Sequence, residues 1–362
     1  MFFDPRPKST REDLYDREAE LRELHGSDDP LLLVLAPRRF GKTSLVRVFL
    51  NETDKFHVFL DCRAVLSTGT SKESFLKHFA HQLEELVEKD SSLLGVLKRI
   101  KGLKVFDFEV SLSDAKEFQL TELLERVNDW VRKRENKLIL AFDEAQLLRF
   151  FRRAWGMDFI QLFAYVYDRL DGVQILLTGS EAGILEDFLA LDDPRSPLYG
   201  RHVREIRVPR LSQAESEDFL WKGFEQCGLK VSSKVIGSAV QKLDGIIGWL
   251  VYFGKRCVEA GRVDQKVLDE TLQEAKELVF EELEGLFRLS EKYRYTLKAV
   301  ALGVRTWSGI KEAVEMMTRT RLTDTSFNRV LTKLVKMGYL QKEESDYYSF
   351  VDPVVEEAAK EL

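Results

Sequence analysis

Residues 31–44 constrain the fold of this chain more than any other segment. The apolar run 31–35 is typical of a buried parallel strand, and an apolar helix face follows the loop after it. The loop ends in Gly41, Lys42 and Thr43, the spacing that a triphosphate-binding loop needs. Backbone N–H groups surround the phosphates where the helix begins, the lysine reaches the β and γ oxygens, and the hydroxyl joins a Mg²⁺ shell. The residues predicted to bind nucleotide are Ala36, Pro37, Arg38, Arg39, Phe40, Gly41, Lys42, Thr43 and Ser44.

This loop departs from the usual pattern at its first position. The pattern Gly-x-x-x-x-Gly-Lys-[Ser/Thr] has Ala36 in place of its first glycine, which leaves Gly41. Alanine tolerates negative φ, so we expect the loop still to form. The alternative is a chance Gly-Lys-Thr after an apolar strand. It is disfavoured because both the strand and the helix lie where the motif needs them.

A second apolar run, residues 138–142, ends in Asp143 and Glu144. Ligands of open parallel sheets bind at the carboxyl ends of the strands, so both acids are predicted to face the nucleotide. Asp143 is predicted to hold Mg²⁺ together with Thr43, and Glu144 to act as the general base that activates water for attack on the γ-phosphate. The alternative is that the two acids cap the next helix.

The identity of the base is less constrained. Asn136-Lys137 is followed by Leu138-Ile139, so this is not the Asn-Lys-x-Asp signature of guanine readers. Adenine is therefore favoured, with ATP as substrate.

Both motifs resemble a known family. Pro-Arg-Arg-Phe-Gly-Lys-Thr-Ser-Leu at residues 37–45 and Phe-Asp-Glu-Ala-Gln at 142–146 are similar to the archaeal ATPase family of the STAND group, whose relatives are the AAA+ and origin-recognition ATPases. Three more segments extend the resemblance over nearly the whole chain. Residues 14–21 resemble the family's N-terminal signature, 176–180 its sensor strand and 196–201 the segment that carries a catalytic arginine.

The resemblance implies roles for further residues. Arg17 is expected near the base, and Arg201 is expected to face the γ-phosphate, either in the same chain or from a neighbouring subunit. The alternative for Arg201 is surface ion pairing. Ser180 ends the sensor strand, where its hydroxyl either orients the attacking water or caps the next segment. The predicted catalytic residues are Lys42, Glu144, Ser180 and Arg201. One departure affects the lid: Ile247 stands where the family has a proline in its lid turn, so the lid's contact with nucleotide is expected to differ.

Composition limits the class of protein. The chain has 362 residues and 44% hydrophobic content, enough for two or three domains with real cores. Its net charge is −6, so no global cationic field attracts it to nucleic acid or to anionic membranes. The three cysteines are scattered, which argues against a disulfide framework or structural zinc and favours a reducing cytoplasm. We find no apolar run near the ~20 residues that span a bilayer.

The pattern along the chain predicts three domains. Alternating strand and helix signals over residues 1–210 indicate an α/β P-loop ATPase core with a parallel, AAA+-like sheet, and the alternating segment 104–111 indicates an inserted hairpin. Residues 211–289 are predicted to form a helical lid domain, beginning at a capping box of Ser212 and Glu215. Residues 290–362 give three short amphipathic helices and two strands, the order of a winged helix-turn-helix.

Cations gather around the third helix of the predicted winged helix. With Asp324 as the one acid, they give a local charge of +4 in a chain of −6, a candidate surface for DNA phosphates. The alternative is a solvated helix face on a domain that packs against the ATPase core or a protein partner. The predicted DNA-binding residues are Arg319, Arg321, Arg329, Lys333 and Lys336.

Together these features predict a Mg²⁺-dependent ATP-hydrolysing switch whose nucleotide state sets the pose of a winged helix that binds double-stranded DNA. ADP retained through purification would fit this prediction. One alternative is an origin-recognition or loader-type AAA+ protein that forms a nucleotide-dependent oligomer. The other is a signalling scaffold that holds nucleotide as a structural ligand and uses its winged helix to bind protein.

Overall fold

The computed structural model describes residues 1–106, 109–114, 118–151, 158–344 and 346–362. The strands of these residues are β1 (Leu31–Leu35), β2 (Phe56–Asp61), β3 (Leu103–Phe106), β4 (Glu109–Leu112), β5 (Leu138–Asp143), β6 (Val173–Gly179), β7 (Arg204–Arg207), β8 (Leu340–Lys342) and β9 (Tyr348–Phe350). The helices are α1 (Glu18–Gly26), α2 (Lys42–Glu52), α3 (Cys62–Ser67), α4 (Lys72–Lys89), α5 (Leu94–Leu97), α6 (Leu120–Arg132), α7 (Phe159–Arg169), α8 (Ala182–Leu189), α9 (Gln213–Gln226), α10 (Ser233–Leu243), α11 (Ile247–Ala260), α12 (Gln265–Phe287), α13 (Glu291–Ala301), α14 (Trp307–Thr318), α15 (Asp324–Lys336) and α16 (Pro353–Lys360).

The central sheet is parallel throughout, in the order β2-β5-β6-β1-β7. Helices cover both of its faces, which is why β1 is apolar at every position: Leu32 and Val34 pack into one core, and Leu31, Leu33 and Leu35 into the other. The predicted α/β fold with a parallel sheet is confirmed. Strand β6 lies between β1 and β5, so the carboxyl ends of β1, β6, β5 and β2 line one edge in that order.

The predicted hairpin is present beside the sheet. Strands β3 and β4 pair antiparallel, with Leu103 opposite Leu112 and Lys104 opposite Ser111. Residues 107 and 108, which lie inside the predicted segment, are outside the described residues.

Helices α9 to α12 form the region predicted as the lid, and we call them the lid helices. The predicted capping box begins α9, since the Ser212 side chain accepts from the Glu215 N–H and the Glu215 carboxylate accepts from the Ser212 N–H. The start of the chain also packs here. Phe3 is buried against Gly223 and Gly254, where an added Cβ would lie 2.2 Å from its ring. The first residues, predicted within the ATPase core, therefore contact the lid helices.

The C-terminal region has the predicted winged-helix order: α13, α14 and α15, then the antiparallel pair β8 and β9, then α16. Helix α15 begins at a Thr323 cap and buries Phe327, Val330, Leu331 and Leu334. Within the described part of the chain, no helix has the length and apolar character needed to cross a membrane.

Candidate active site

The loop after β1 has the conformation that its sequence predicts. Gly41 has φ 87° and ends the loop, and α2 begins at Lys42. Arg39 also lies in the left-handed region, with φ 69°, whereas Ala36 is not among the residues with positive φ. An alanine at the first glycine position therefore needs no strained backbone, as expected.

Lys42 lies at the bottom of the loop with only 5% of its surface exposed. Its ammonium donates to the carbonyl oxygens of Ala36, at 2.7 Å, and Pro37, at 3.0 Å. Burial lowers its pKa to about 8, although the negative charges of Glu144 and Asp143 oppose this. The loop's own carbonyls thus satisfy a cation that a phosphate would bind more strongly.

The Thr43 hydroxyl and the Asp143 carboxylate meet across the edge of the sheet. Thr43 Oγ1 donates to Asp143 Oδ2 at 3.0 Å, and Thr178 Oγ1 on β6 donates to Asp143 Oδ1. Burial raises the pKa of Asp143, while the hydrogen bonds from Thr178 and Thr43 oppose the shift. A hydroxyl beside a carboxylate supplies the hard oxygen ligands that Mg²⁺ prefers, so this pair fits the predicted metal role.

Glu144 is held rigidly beside this pair. Its backbone has φ 56°, and its Oε2 accepts hydrogen bonds from Ser180 N–H (3.1 Å), Ser180 Oγ (2.6 Å) and Gln146 Nε2 (2.6 Å). Burial alone would raise the pKa of Glu144, but the hydrogen bond from Ser180 and the charge of Lys42 outweigh it and lower the pKa. The carboxylate is therefore ionised at neutral pH.

Lys42, Thr43, Glu144 and Ser180 line a cavity of about 770 Å³. Asp143 is fully buried and is joined to the cavity through its hydrogen bond from Thr43. The N-terminal segment and the lid helices line the cavity with Leu14, Tyr15, Phe219 and Val251, an apolar and aromatic surface suited to a base. Arg17 also lines the cavity. It is 5% exposed and donates to the Pro209 carbonyl at 3.1 Å.

The two loop arginines are turned to one acid on the lid helices. Arg38 Nη1 lies 2.8 Å from Glu282 Oε1, and Arg39 Nη2 lies 2.9 Å from Glu282 Oε2. Arg38 also pairs with Glu181 at 3.3 Å. Both arginines line the cavity, as predicted for nucleotide-binding residues, but Glu282 holds their charges in this conformation.

The first turn of α11 meets the loop directly. The Gly248 N–H donates to the Arg39 carbonyl at 2.8 Å, and a Cβ on Gly41 would lie 3.4 Å from Ile247 Cγ2. The turn therefore touches the loop even though Ile247 replaces the family's proline. Next to it, Trp249 Nε1 donates to Asp352 Oδ2 at 2.8 Å, which connects this turn to the winged helix.

Arg201 does not join this site within the chain, which corrects the expectation that it faces the γ-phosphate in cis. Its guanidinium donates to Asp168 at 3.0 Å (Nε) and 2.6 Å (Nη2), and it does not line the cavity. The reason is topological. Strand β7 begins at Arg204, beside Leu32 near the start of β1, so Arg201 lies at the amino edge of the sheet. Crossing five residues of strand to the loop takes roughly 16 Å.

Two cavity residues that contact the carboxylates were not predicted from the sequence. Gln146 anchors Glu144, and Arg63 Nη2 lies 3.4 Å from Asp143 Oδ2. The sequence held a signal for Arg63: it follows β2 by two residues, and the carboxyl ends of parallel strands meet at one edge.

The cations of the winged helix divide into two groups. The structure shows no ion pair between any described residue and Arg319, Arg321, Arg329 or Lys333, and the three arginines are exposed. Lys336 differs, which corrects its grouping with the other four. Its Nζ pairs with Asp187 on α8 at 2.5 Å, and a Cβ on Gly183 would lie 2.7 Å from Lys336 Cγ. The end of α15 packs against the ATPase core.

Fold and site define a P-loop ATPase with a C-terminal winged helix. Residues 14–253 match an ATPase domain predominantly from Archaea, and residues 288–351 match the MCM protein C-terminal winged helix-turn-helix domain. The chain belongs to this archaeal ATPase family.

Solved structures agree with this assignment. The Walker-type ATPase PABY2304 of Pyrococcus abyssi is 36% identical, with a TM-score of 0.84 over 99% of this chain and 100% of that one. The ORC2 protein of Aeropyrum pernix, in its ADPNP-ADP complexes, is 14% identical, with a TM-score of 0.61 over 99% and 97% of the two chains, and shows the fold alone. A comparison with curated proteins gives no match.

Proposed function

We propose that this chain binds MgATP in the cavity and hydrolyses it to ADP and phosphate, and that the reaction controls DNA binding by the winged helix. The observation that carries the hydrolytic part is the meeting of four groups at one cavity, three of which line it while Asp143 lies behind Thr43. Lys42 and the hydrogen-bonded pair of Thr43 and Asp143 meet the anchored Glu144, and the four residues come from two separate segments of the chain.

Each residue has a distinct task in this reaction. Lys42 and the loop N–H groups bind the β- and γ-phosphates. Magnesium, held by Thr43 and Asp143, would neutralise charge on the phosphate oxygens. Glu144 accepts a proton from water as the water oxygen bonds to the γ-phosphorus and the bond to the β–γ bridging oxygen breaks, releasing ADP. Ser180 and Gln146 bond to Oε2 of Glu144, and no described residue bonds to Oε1, which leaves that oxygen for the water.

The free cations of the winged helix support the DNA part of the proposal. Arg319, Arg321, Arg329 and Lys333 carry charge without an acidic partner among the described residues, on and just before the third helix of the fold. In winged-helix proteins that helix is suited to the major groove. Because the whole chain has a charge of −6, binding must come from this local patch.

The contacts of Glu282 support coupling between the two parts. This carboxylate contacts Arg38 and Arg39 of the loop and also accepts from the Tyr339 hydroxyl, at 3.1 Å, at the end of the winged helix's third helix. We call Arg38, Arg39, Glu282 and Tyr339 the junction. Nearby, the position of a Cβ on Gly338 lies 3.7 Å from the Ser180 carbonyl. Phosphates in the loop compete with Glu282 for the two arginines, so nucleotide state changes what holds the winged helix in place.

The Glu144→Gln variant tests the hydrolytic part. Glutamine keeps the size and the hydrogen bonds of the side chain but cannot take a proton, so turnover should fall by about 10² to 10⁴-fold while ATP binding is retained. Steady-state phosphate release and binding of a fluorescent ATP analogue, each with and without Mg²⁺, measure the two effects. The matched control is Glu181→Gln, a neighbouring cavity acid that pairs with Arg38. Equal turnover by parent and Glu144→Gln would contradict the proposed base.

One observation favours a second candidate function, in which the winged helix binds a protein partner. The end of α15 already packs against α8 through Lys336 and Asp187, so this domain makes a protein contact within the chain. A nucleotide-bound scaffold would use the same surface for a partner. This scaffold function predicts that the chain binds duplex DNA no more tightly than an unrelated protein of equal charge does. It also predicts that Glu144→Gln leaves binding of the protein partner unchanged.

A further inference from the structure

Arg63 is the arginine whose guanidinium contacts the magnesium-binding acid. We propose that it, rather than Arg201, stabilises the negative charge that develops on the γ-phosphate during hydrolysis. The inference rests on the proposed function, because it names a further catalytic residue for the same reaction. It also predicts that the chain needs no arginine from a neighbouring subunit to complete its site.

The position of Arg63 follows from the order of strands. Strand β2 lies on the far side of β5 from the loop strand, so α3, which begins directly after β2, faces the carboxylates from the opposite side. Arg63 Nη2 is 3.4 Å from Asp143 Oδ2, the oxygen that also accepts from Thr43. The guanidinium therefore lies beside the pair that fits the metal, and it lines the same cavity as Lys42 and Glu144.

Two features hold the backbone of Arg63 in place while leaving its side chain movable. Cys62 is buried beneath the site, and Asp61 caps α3 by accepting from the Arg63 N–H at 2.9 Å. The side chain itself is 58% exposed, its Nε pairs with Asp61 Oδ1 at 3.2 Å, and its contact with Asp143 is long. A shift of one or two rotamers would bring the planar, doubly donating guanidinium to phosphate oxygens without moving the backbone.

The other arginines that line the cavity are engaged elsewhere. Each has a partner that draws it away from the carboxylates or ties it to the lid. Arg6 bonds to Asp4, Arg17 donates to the Pro209 carbonyl, Arg38 and Arg39 pair with Glu282, and Arg149 lies over the Phe150 ring.

The chemistry of phosphoryl transfer calls for a cation at this point. Charge spreads over the equatorial oxygens of the transferred group, and an arginine placed there accelerates related reactions by about 10³-fold or more. Lys42 lies at the loop side of the phosphates, and Arg63 supplies a second cation from across the carboxylates. The two would bracket the γ-phosphate.

The test compares Arg63→Gln with the parent in two measurements. The first is kcat and KM for ATP: kcat should fall by about 10³-fold, with KM changed by less than about 3-fold. The second is binding of ADP with and without aluminium fluoride, which mimics the transferred phosphoryl group. The parent should bind ADP more tightly with fluoroaluminate, and Arg63→Gln should lose that gain while binding ADP alone normally. Should Arg63→Gln fail to fold, Arg63→Lys replaces it in both measurements, since lysine keeps the positive charge but lacks the guanidinium that donates two parallel hydrogen bonds.

Two control variants separate this role from a structural one. Arg201→Gln removes an arginine that also pairs with an aspartate, but at the opposite edge, and should behave as the parent. Asp61→Asn removes the other acid that contacts Arg63 and should preserve both the fluoroaluminate gain and most of kcat. An unchanged fluoroaluminate gain in Arg63→Gln overturns the inference, as does an equal loss of ADP and fluoroaluminate binding. Failure of the parent to hydrolyse ATP would contradict the proposed function instead, and the binding comparison would still decide the role of Arg63.

Discussion

The nucleotide cavity and the winged-helix surface hold their charges in opposite ways. At the cavity, Lys42, Asp143 and Glu144 are buried and hydrogen-bonded: Lys42 to carbonyls of its own loop, Asp143 to Thr43 and Glu144 to Ser180. On the winged helix, Arg329 is exposed and has no ion pair with a described residue. Buried charges interact strongly and are little screened, whereas exposed charges are weakened by salt. The cavity is thus built for chemistry at fixed positions, and the surface for a polyanion whose binding depends on ionic strength.

The sharpest test of the surface compares cations on the same helix. Arg329→Ala combined with Lys333→Ala should weaken duplex DNA binding by about 30-fold, because two lost phosphate contacts cost about 1 kcal/mol each. The slope of log affinity against log salt should decrease by about 2. Lys336→Ala is the matched control, since this lysine already pairs with Asp187, and it should leave the slope unchanged. Fluorescence anisotropy over a salt series measures the DNA affinity of the parent and of both variants. An equal effect of Lys336→Ala would show that the paired Lys336 and the unpaired Arg329 and Lys333 do not differ in DNA binding.

The affinity of the cavity for ATP should depend on pH because of the buried Lys42. In the free protein the pKa of Lys42 is about 8, and a bound polyphosphate raises it, so ATP binding takes up a proton between the two values. Affinity is therefore complete below about pH 7 and falls as pH rises through 8, by about 10-fold between about pH 7 and about pH 9.

Titration calorimetry with a non-hydrolysable ATP analogue measures this dependence. Lys42→Arg is the control, because its guanidinium stays charged over this range and the slope should vanish. A parent affinity that does not change with pH would show that Lys42 is not the titrating ligand.

A substitution in the junction should have a smaller effect than substitutions in the nucleotide cavity or on the winged-helix surface. Glu282→Gln removes the carboxylate that competes with phosphate for Arg38 and Arg39, so ATP should bind about 3-fold more tightly. Backbone amides near Tyr339 should exchange hydrogen faster, since the contact between its hydroxyl and Glu282 is weakened. Glu281→Gln, an exposed neighbour on α12, is the control. If both variants behave alike, the junction does not connect loop and winged helix.

The parts that the sequence predicts correctly are those that local spacing determines. The loop, the start of α2 at Lys42 and the capping box at Ser212 depend on residues a few positions apart. The meeting of Thr43 and Asp143, 100 residues apart, was still predictable because parallel strands place their carboxyl ends at one edge. The winged-helix elements follow from helical and strand periodicity in the same way.

The remainder depends on packing between distant elements, which carries no local signal. Nothing around Glu282 marks it as the partner of two loop arginines, and nothing around Lys336 points to Asp187. Arg201 was assigned from a resemblance in its segment, but the register of β7 beside β1 places it at the opposite edge. Arg63 was overlooked because its neighbours form no motif, although the rule for strand ends that located Asp143 applies to it as well.

The claim that nucleotide state controls the winged helix is tested most directly by one titration. Duplex DNA is added to the intact chain without nucleotide, with a non-hydrolysable ATP analogue and Mg²⁺, and with ADP, each at two salt concentrations. We expect salt-dependent binding whose affinity differs by about 10-fold between the ATP analogue and ADP. Equal affinity in all three states, or no salt-dependent binding in any of them, would contradict this claim.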